Sequence, residues 1–157
     1  MKILNRSELI VFCENARKIG KKIVFTNGCF DILHRGHIEY LKAAEAFGDI
    51  LVVGLNTDAS VKRIKDKGRP ITTEDDRAAI VSALRFVDAV CLFDEDTPLE
   101  LIKAVKPDVL VKGSDYSVET IVGYDEVTKN GGQVVTIPLT AGKSTTTLIQ
   151  WIKEMED

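Results

Sequence analysis

Long uncharged apolar runs are absent from this 157-residue chain, so no transmembrane helix is expected. The opening stretch, MKILNRSELIVFCENARKIGKK, mixes charges into its apolar positions and lacks a small-residue cleavage site, so it does not read as a secretory signal. Cysteine is scarce. Cys13, Cys29 and Cys91 are odd in number and widely spaced, with no CxxC pair for zinc or dithiol chemistry, and a reduced, cytoplasmic protein is the simplest reading. A basic surplus is also missing. The formal net charge of −3 argues against a protein built to grip nucleic-acid backbone. A mononucleotide, which needs only a few placed donors, stays within reach. No repeat, low-complexity segment or linker divides the chain. A single domain over residues 1–157 is expected, with an N-terminal helix in 1–20 and an α/β core over 22–155.

Within that frame the apolar pattern alternates between two kinds of element. Leu9, Ile10, Phe12, Cys13 and Ala16 fall at helical spacing before Gly20. Ile23–Phe25 reads as a short buried strand ended by the Asn27-Gly28 breaker, and His37–Phe47 as a helix stopped by Gly48. Ile50–Leu55 is continuously apolar, as a strand covered on both faces should be. A short helix over Ala59–Ile64, a basic loop over Lys62–Pro70 and a helix over Thr73–Leu84 follow, the last with Thr73 and Asp76 at capping-box spacing. Strands at Ala89–Phe93, Val109–Val111 and Val134–Ile137 alternate with helices near Pro98–Val105, Ile121–Lys129 and Thr145–Met155. This alternation predicts a Rossmann-like α/β fold, an open, mainly parallel five-stranded sheet with helices on both faces. Ligands of such sheets bind beyond the carboxyl ends of the strands, near the switch in strand order.

Only two histidines occur, His34 and His37, both between the first strand and the following helix. Three residues apart, they project from one side of that helix start. Gly36 between them allows close approach to the backbone, and the helix N-terminus favours an anion. The Asn27-Gly28-Cys29-Phe30 turn offers further backbone groups to cradle phosphate. An isolated HxxH is more often a surface cap plus a packed helix residue, and a metal site is the other alternative. No CxxC and little suitable carboxylate spacing support the metal. Gly142-Lys143-Ser144 invites a P-loop reading that fails because Ile137 stands where that motif requires glycine.

The stretch GCFDILHRGH resembles the signature of the HxGH nucleotidyltransferase superfamily, G-x-F-D-x-x-H-x-G-H. Ser144-Thr145-Thr146 resembles its second, hydroxyl-rich motif, with Lys143 in place of the usual apolar or cysteine residue. NGCFDILHRGH, GLNTDASVKRIK, GRPIT, FDEDTP, KPDVLVKGSDY and the NGGQV turn resemble, in order, the adenylyltransferase family that activates D-glycero-β-D-manno-heptose 1-phosphate. Ser114 stands where that family often has glycine.

The resemblance implies transfer of AMP from ATP to the sugar phosphate by direct in-line attack, with Mg²⁺ carried mainly by the nucleotide phosphates. It places His34 and His37 on the triphosphate, Ser144, Thr145 and Thr146 on the β/γ-phosphates, and Lys112, Gly113 and Asp115 around base and ribose. Lys62, Lys65 or Lys67 would approach the reacting phosphate, with Lys62 favoured. Ser144 read alone is simply an N-cap, and the lysine run alone is a solvated surface. Asp31 is expected to hold N–H groups of its own turn. The resemblance also implies a homodimer and a separate sugar kinase acting upstream. The alternatives are a cytidylyltransferase for an alcohol phosphate such as glycerol 3-phosphate, and a non-catalytic nucleotide-binding regulatory domain.

Overall fold

The computed structural model describes residues 2–114 and 117–155. Its centre is a five-stranded, all-parallel sheet in the order β3-β2-β1-β4-β5, formed by β1 (Ile23–Gly28), β2 (Ile50–Asn56), β3 (Ala89–Phe93), β4 (Val109–Gly113) and β5 (Gln133–Ile137). The pleat divides the core in two. Phe25, Val52, Cys91 and Leu110 face one side, where α1 (Arg6–Lys18), α5 (Leu99–Val105) and α6 (Tyr124–Lys129) bury Leu9, Cys13, Leu101, Ile102 and Val127. Val24, Leu51, Val53, Val90 and Val111 face the other, under Leu41 and Ala44 of α2 (Arg35–Glu45) and Ala78 and Val81 of α4 (Glu74–Ala83). The remaining helices are α3 (Asp58–Ile64) and α7 (Thr145–Glu154).

Carboxylates set the amino edge of the sheet. Asp49, Asp88 and Asp108 each stand just before a strand and accept an N–H at the entry of a neighbouring strand, from Lys22 at 2.8 Å, Leu51 at 2.8 Å and Ile23 at 2.7 Å. Three of the four strand junctions therefore share one stitch, which keeps otherwise unpaired N–H groups satisfied. Helix α1 starts from a reciprocal cap, Glu8 N–H to Asn5 Oδ1 and Asn5 N–H to Glu8 Oε2, both 2.9 Å. Thr73 caps α4 by accepting the Asp76 N–H at 3.2 Å, but the Asp76 carboxylate accepts from the Thr73 hydroxyl rather than its N–H. Aspartate is one carbon too short to close the box.

Several expected boundaries differ; α2 runs Arg35–Glu45 rather than His37–Phe47. Asn27-Gly28 is not a turn: both residues continue β1, in register with Gly54 and Leu55 of β2. Long-range pairing overrides the local breaker signal, and the turn is displaced to residues 29–33, where Phe30 and Ile32 take left-handed φ of 48° and 49°. Such backbone costs of order 1–3 kcal/mol per residue, and burial of Phe30 and the bonds of Asp31 hold it. Lys62–Ile64, which the helix expected over Ala59–Ile64 and the basic loop both claim, belongs to the helix, α3. The 121–129 helix begins only at Tyr124, because Gly123 at φ 95° separates it from a 3₁₀ turn over Val118–Thr120.

The carboxyl edge converges on Arg77, the bulkiest fully buried side chain. Its guanidinium donates to Cys29 O at 2.7 Å, Asn56 O at 2.8 Å, Thr72 O at 3.1 Å and Asp58 Oδ1 at 2.7 Å. Four segments thus meet on one group: the turn after β1, the end of β2, the start of α3 and the loop before α4. Arg77→Met preserves volume but leaves three carbonyls without partners. Urea unfolding should show a loss of about 3 kcal/mol, little of it recovered by Arg77→Lys, since one ammonium does not span the fork. A loss below about 1 kcal/mol would contradict this role.

Candidate active site

The switch in strand order falls between β1 and β4, and there the two strands part. Their ladder runs only through Val24↔Val109 and Phe25↔Leu110. One residue further, the Tyr40 hydroxyl bridges the gap, 2.8 Å from Thr26 Oγ1 and donating to Val111 O at 3.1 Å. At the next step Lys112 Nζ donates to Asn27 Oδ1. The parity of the pleat sends Thr26 toward α2, and Asn27 and Lys112 toward the α5 side. On that side opens a cleft of about 250 Å³, with Asp96, Thr97, Ile121 and Val122 among its walls. Burial pulls the pKa of the Lys112 ammonium down to about 8, against an opposing influence of Cys29.

On the opposite face the two histidines form a rigid pair. His34 caps α2 and its Nδ1 accepts the Gly36 N–H at 3.1 Å, while His37 Nδ1 accepts the His34 N–H at 3.4 Å. With both Nδ1 atoms accepting, both neutral rings carry their proton on Nε2. The rings stack with centroids 3.8 Å apart, and Phe30 meets His37 edge-on at 5.3 Å. Burial first, then the neighbouring His34, drives His37 down to about 4; burial and Lys143 lower His34 as well. The pair therefore offers two parallel Nε2–H donors rather than two cations. A Cβ at Gly36 would crowd the pair, lying 3.0 Å from His34 Cε1 and 3.1 Å from Lys143 Cβ.

Asp31 departs from expectation. Instead of its own turn it grips the distant 69–72 segment, accepting from Arg69 Nε at 2.6 Å, Ile71 N at 2.9 Å, Thr72 N at 3.0 Å and Thr72 Oγ1 at 2.8 Å. Burial works to raise its pKa, but these donors, led by the Thr72 N–H, outweigh it and hold the carboxyl below its usual range. Its carbonyl accepts the buried Thr145 hydroxyl at 2.6 Å, which fastens the start of α7 to the β1–α2 turn. The hydroxyl hydrogen of Thr145 is thereby taken up within the fold. Ser144 caps α7, accepting the Thr147 N–H at 3.0 Å, and Thr146 is exposed beside it.

The structure brings Asn27, Gly28, Cys29, Phe30, His34, Gly36, His37, Lys112 and Gly113 to the carboxyl edge, and bonds Thr145 to the same turn. Asp115 lies outside the described residues. Lys62 is exposed on the last turn of α3. Of the three loop lysines, Lys65 is the one whose charge reaches the Cys29 thiol, where burial dominates and raises the pKa. Sequence reasoning missed Arg77, the partners of Asp31 and the Tyr40 bridge. Only the charge of Arg77 at an otherwise apolar helical position could have signalled its burial. Among the described residues no group of three His, Cys, Asp or Glu could hold a metal, and no helix is long and apolar enough to cross a membrane.

Residues 25–151 match the family model described as cytidylyltransferase-like. The chain is 53% identical over 153 residues to the bifunctional protein HldE of Trichlorobacter lovleyi, covering 98% of this chain and 31% of that protein. Identity to the HldE of Campylobacter concisus is 56%, over 90% of this chain and 29% of the relative. The chain thus spans about a third of the length of the curated relatives it matches. Among solved structures, a lipopolysaccharide core biosynthesis protein from Thermoplasma volcanium superposes with a TM-score of 0.64 at 33% identity, covering 77% of this chain and 98% of that one. A pantoate-beta-alanine ligase from Francisella tularensis shares the fold at TM-score 0.66 and 16% identity, over 100% and 78%.

The hydrogen bonds of the histidine pair fix what nitrogen NMR should see. His37 is expected to stay neutral at pH 6 with the Nε2–H tautomer, and to protonate only near pH 4. Because its folded pKa lies below the unfolded value, the unfolded chain binds the proton first, so stability falls as pH drops from about 6.5 toward 4. His37→Asn removes that part of the acid sensitivity. Titration of His37 near 6.5 in the free protein contradicts the geometry.

Proposed function

The chain belongs to the cytidylyltransferase-like family, and on that premise we propose that it is an adenylyltransferase that moves AMP from ATP to D-glycero-β-D-manno-heptose 1-phosphate, releasing ADP-heptose and pyrophosphate. The observation that carries this reading is the pair of Nε2–H donors at the start of α2, held close to the start of α7 by the Thr145–Asp31 bond. Two helix N-termini, two neutral imidazole donors and the Ser144 and Thr146 hydroxyls make a seat for a triphosphate. The heptose is supported by the GLNTDASVKRIK and KPDVLVKGSDY stretches and by the relative whose name places it in lipopolysaccharide core biosynthesis.

The chemistry asks for placement more than for reactive groups. A sugar 1-phosphate is mostly dianionic at neutral pH, its second pKa being about 6. One of its oxygens attacks the α-phosphorus, the bond to the bridging β-oxygen breaks, and pyrophosphate leaves with the electron pair. No proton has to be removed. His34 and His37 donate to the phosphate oxygens as charge shifts toward the leaving group, and α7 holds the pyrophosphate end. Mg²⁺ fits as an ion carried by phosphate oxygens and water, since such ions keep much of their hydration. Lys65, at the end of α3, supplies long-range positive charge, as does Lys143 beside His34, and Lys62 lies one turn earlier on the same helix.

Pyrophosphate release over a matrix of nucleotides and phosphorylated acceptors tests the proposal. ATP with heptose 1-phosphate should turn over and CTP with glycerol 3-phosphate should not; the reverse result makes the chain an alcohol-phosphate cytidylyltransferase. Nucleotide binding without turnover across the matrix would leave a regulatory domain. His37→Ala should lower kcat by about 10²–10³-fold, the loss typical of a removed transition-state donor, with unfolding changed little. Unchanged kcat would rule the role out. Turnover should fall below about pH 6 as the acceptor becomes monoanionic.

A further inference from the structure

The cleft on the α5 side of the crevice is not used by the triphosphate seat, and its chemistry is unlike that of a base pocket. Lys112 lies at its inner wall, largely buried, and among the described residues its ammonium meets only the neutral Asn27 amide oxygen. An enclosed ammonium without an anion is costly, which is why burial pulls it down. The other walls are of two kinds. Pro98, Ile121 and Val122 are apolar, whereas Thr97, Thr120 and Asp96 carry hydroxyls and a carboxylate. Asp96 has one oxygen on Arg63 Nε at 2.8 Å, and among the described residues its second oxygen accepts no hydrogen bond.

We propose that this cleft holds the acceptor, with the Lys112 ammonium on the acceptor's phosphate and the sugar ring lying against Ile121 and Val122. This assignment rests on the transfer reading above and moves Lys112 from the nucleotide base to the acceptor. Three features carry it. First, adenine brings no negative charge to a buried cation, whereas a sugar phosphate brings two. Second, the cleft, at about 250 Å³, joins apolar walls at Pro98, Ile121 and Val122 to hydroxyls at Thr97 and Thr120, a mixture that matches the C–H face and hydroxyl edge of a sugar ring. Third, an in-line displacement needs attacking and leaving oxygens on opposite sides of the α-phosphorus. The leaving side is the α2 and α7 face; the Asn27–Lys112 side is the other face of the same parted strands. Thr97, Thr120 and the free oxygen of Asp96 then meet the ring hydroxyls.

Competitive labelling of amines on the full-length chain at pH 8, read by peptide mass spectrometry, tests the assignment directly. Saturating heptose 1-phosphate, without nucleotide, should slow modification of Lys112 at least fivefold, and adenosine should not. Protection by adenosine alone, or no protection by the sugar phosphate, overturns it. In steady state, Lys112→Met should raise KM for the sugar phosphate tenfold or more and leave KM for ATP within twofold, with partial rescue by Lys112→Arg. A rise confined to the KM of ATP overturns it too. Failure of the transfer reading looks different: the wild type releases no pyrophosphate from any acceptor, while the sugar phosphate still shields Lys112.

Discussion

One buried guanidinium is the constraint on which the site depends. Arg77 collects carbonyls from the ends of β1 and β2 and from the loop before α4, together with the Asp58 carboxylate. Without it, three polar strand and loop ends would be left unsatisfied under α4. With it, the turn after β1 has a fixed floor, and Asp31 in that turn can grip residues 69–72 while its carbonyl receives Thr145. The left-handed backbone at Phe30 and Ile32 sits between these anchors. Strain of that kind persists only where surrounding bonds over-determine it. What the network gains is a histidine pair and two helix starts held in one arrangement before any ligand arrives.

The same strands serve both halves of the proposed reaction. Where the β1–β4 ladder stops, Tyr40 ties one face and Lys112 with Asn27 ties the other. Residue parity along β1 therefore separates a phosphate seat of neutral donors from a cleft with a buried ammonium. The neutrality of the histidines has a chemical consequence. Each Nδ1 accepts a backbone N–H, so each Nε2 bears hydrogen and has no in-plane lone pair for attack on phosphorus. The pair can donate to a phosphate but not become phosphorylated or adenylylated in this arrangement.

Much of this was legible in the sequence because it is local. Continuous apolar runs such as Ile50–Leu55 announced strands covered on both faces, and the HxGH stretch announced a helix start that favours anions. The misreadings share one cause. Asn27-Gly28 is a turn signal to its neighbours, yet six paired positions with β2 keep it extended. Asp31 was assigned to its own turn because its partners lie about 40 residues away. Arg77, within EDDRAAIVSA, shares a helical face with Val81, yet nothing near it in sequence reveals three carbonyls converging from elsewhere. Position along the chain carries periodicity well and long-range polar satisfaction hardly at all.

The central claim is a single direct displacement at the α-phosphorus, organised by donors and without a protein nucleophile. Transfer from ATP bearing a chiral α-phosphorothioate to the sugar phosphate measures this most directly. Inversion of configuration at phosphorus in the nucleotide-sugar product is the predicted result. Retention, which requires a covalent nucleotidyl-protein intermediate and two displacements, would contradict it.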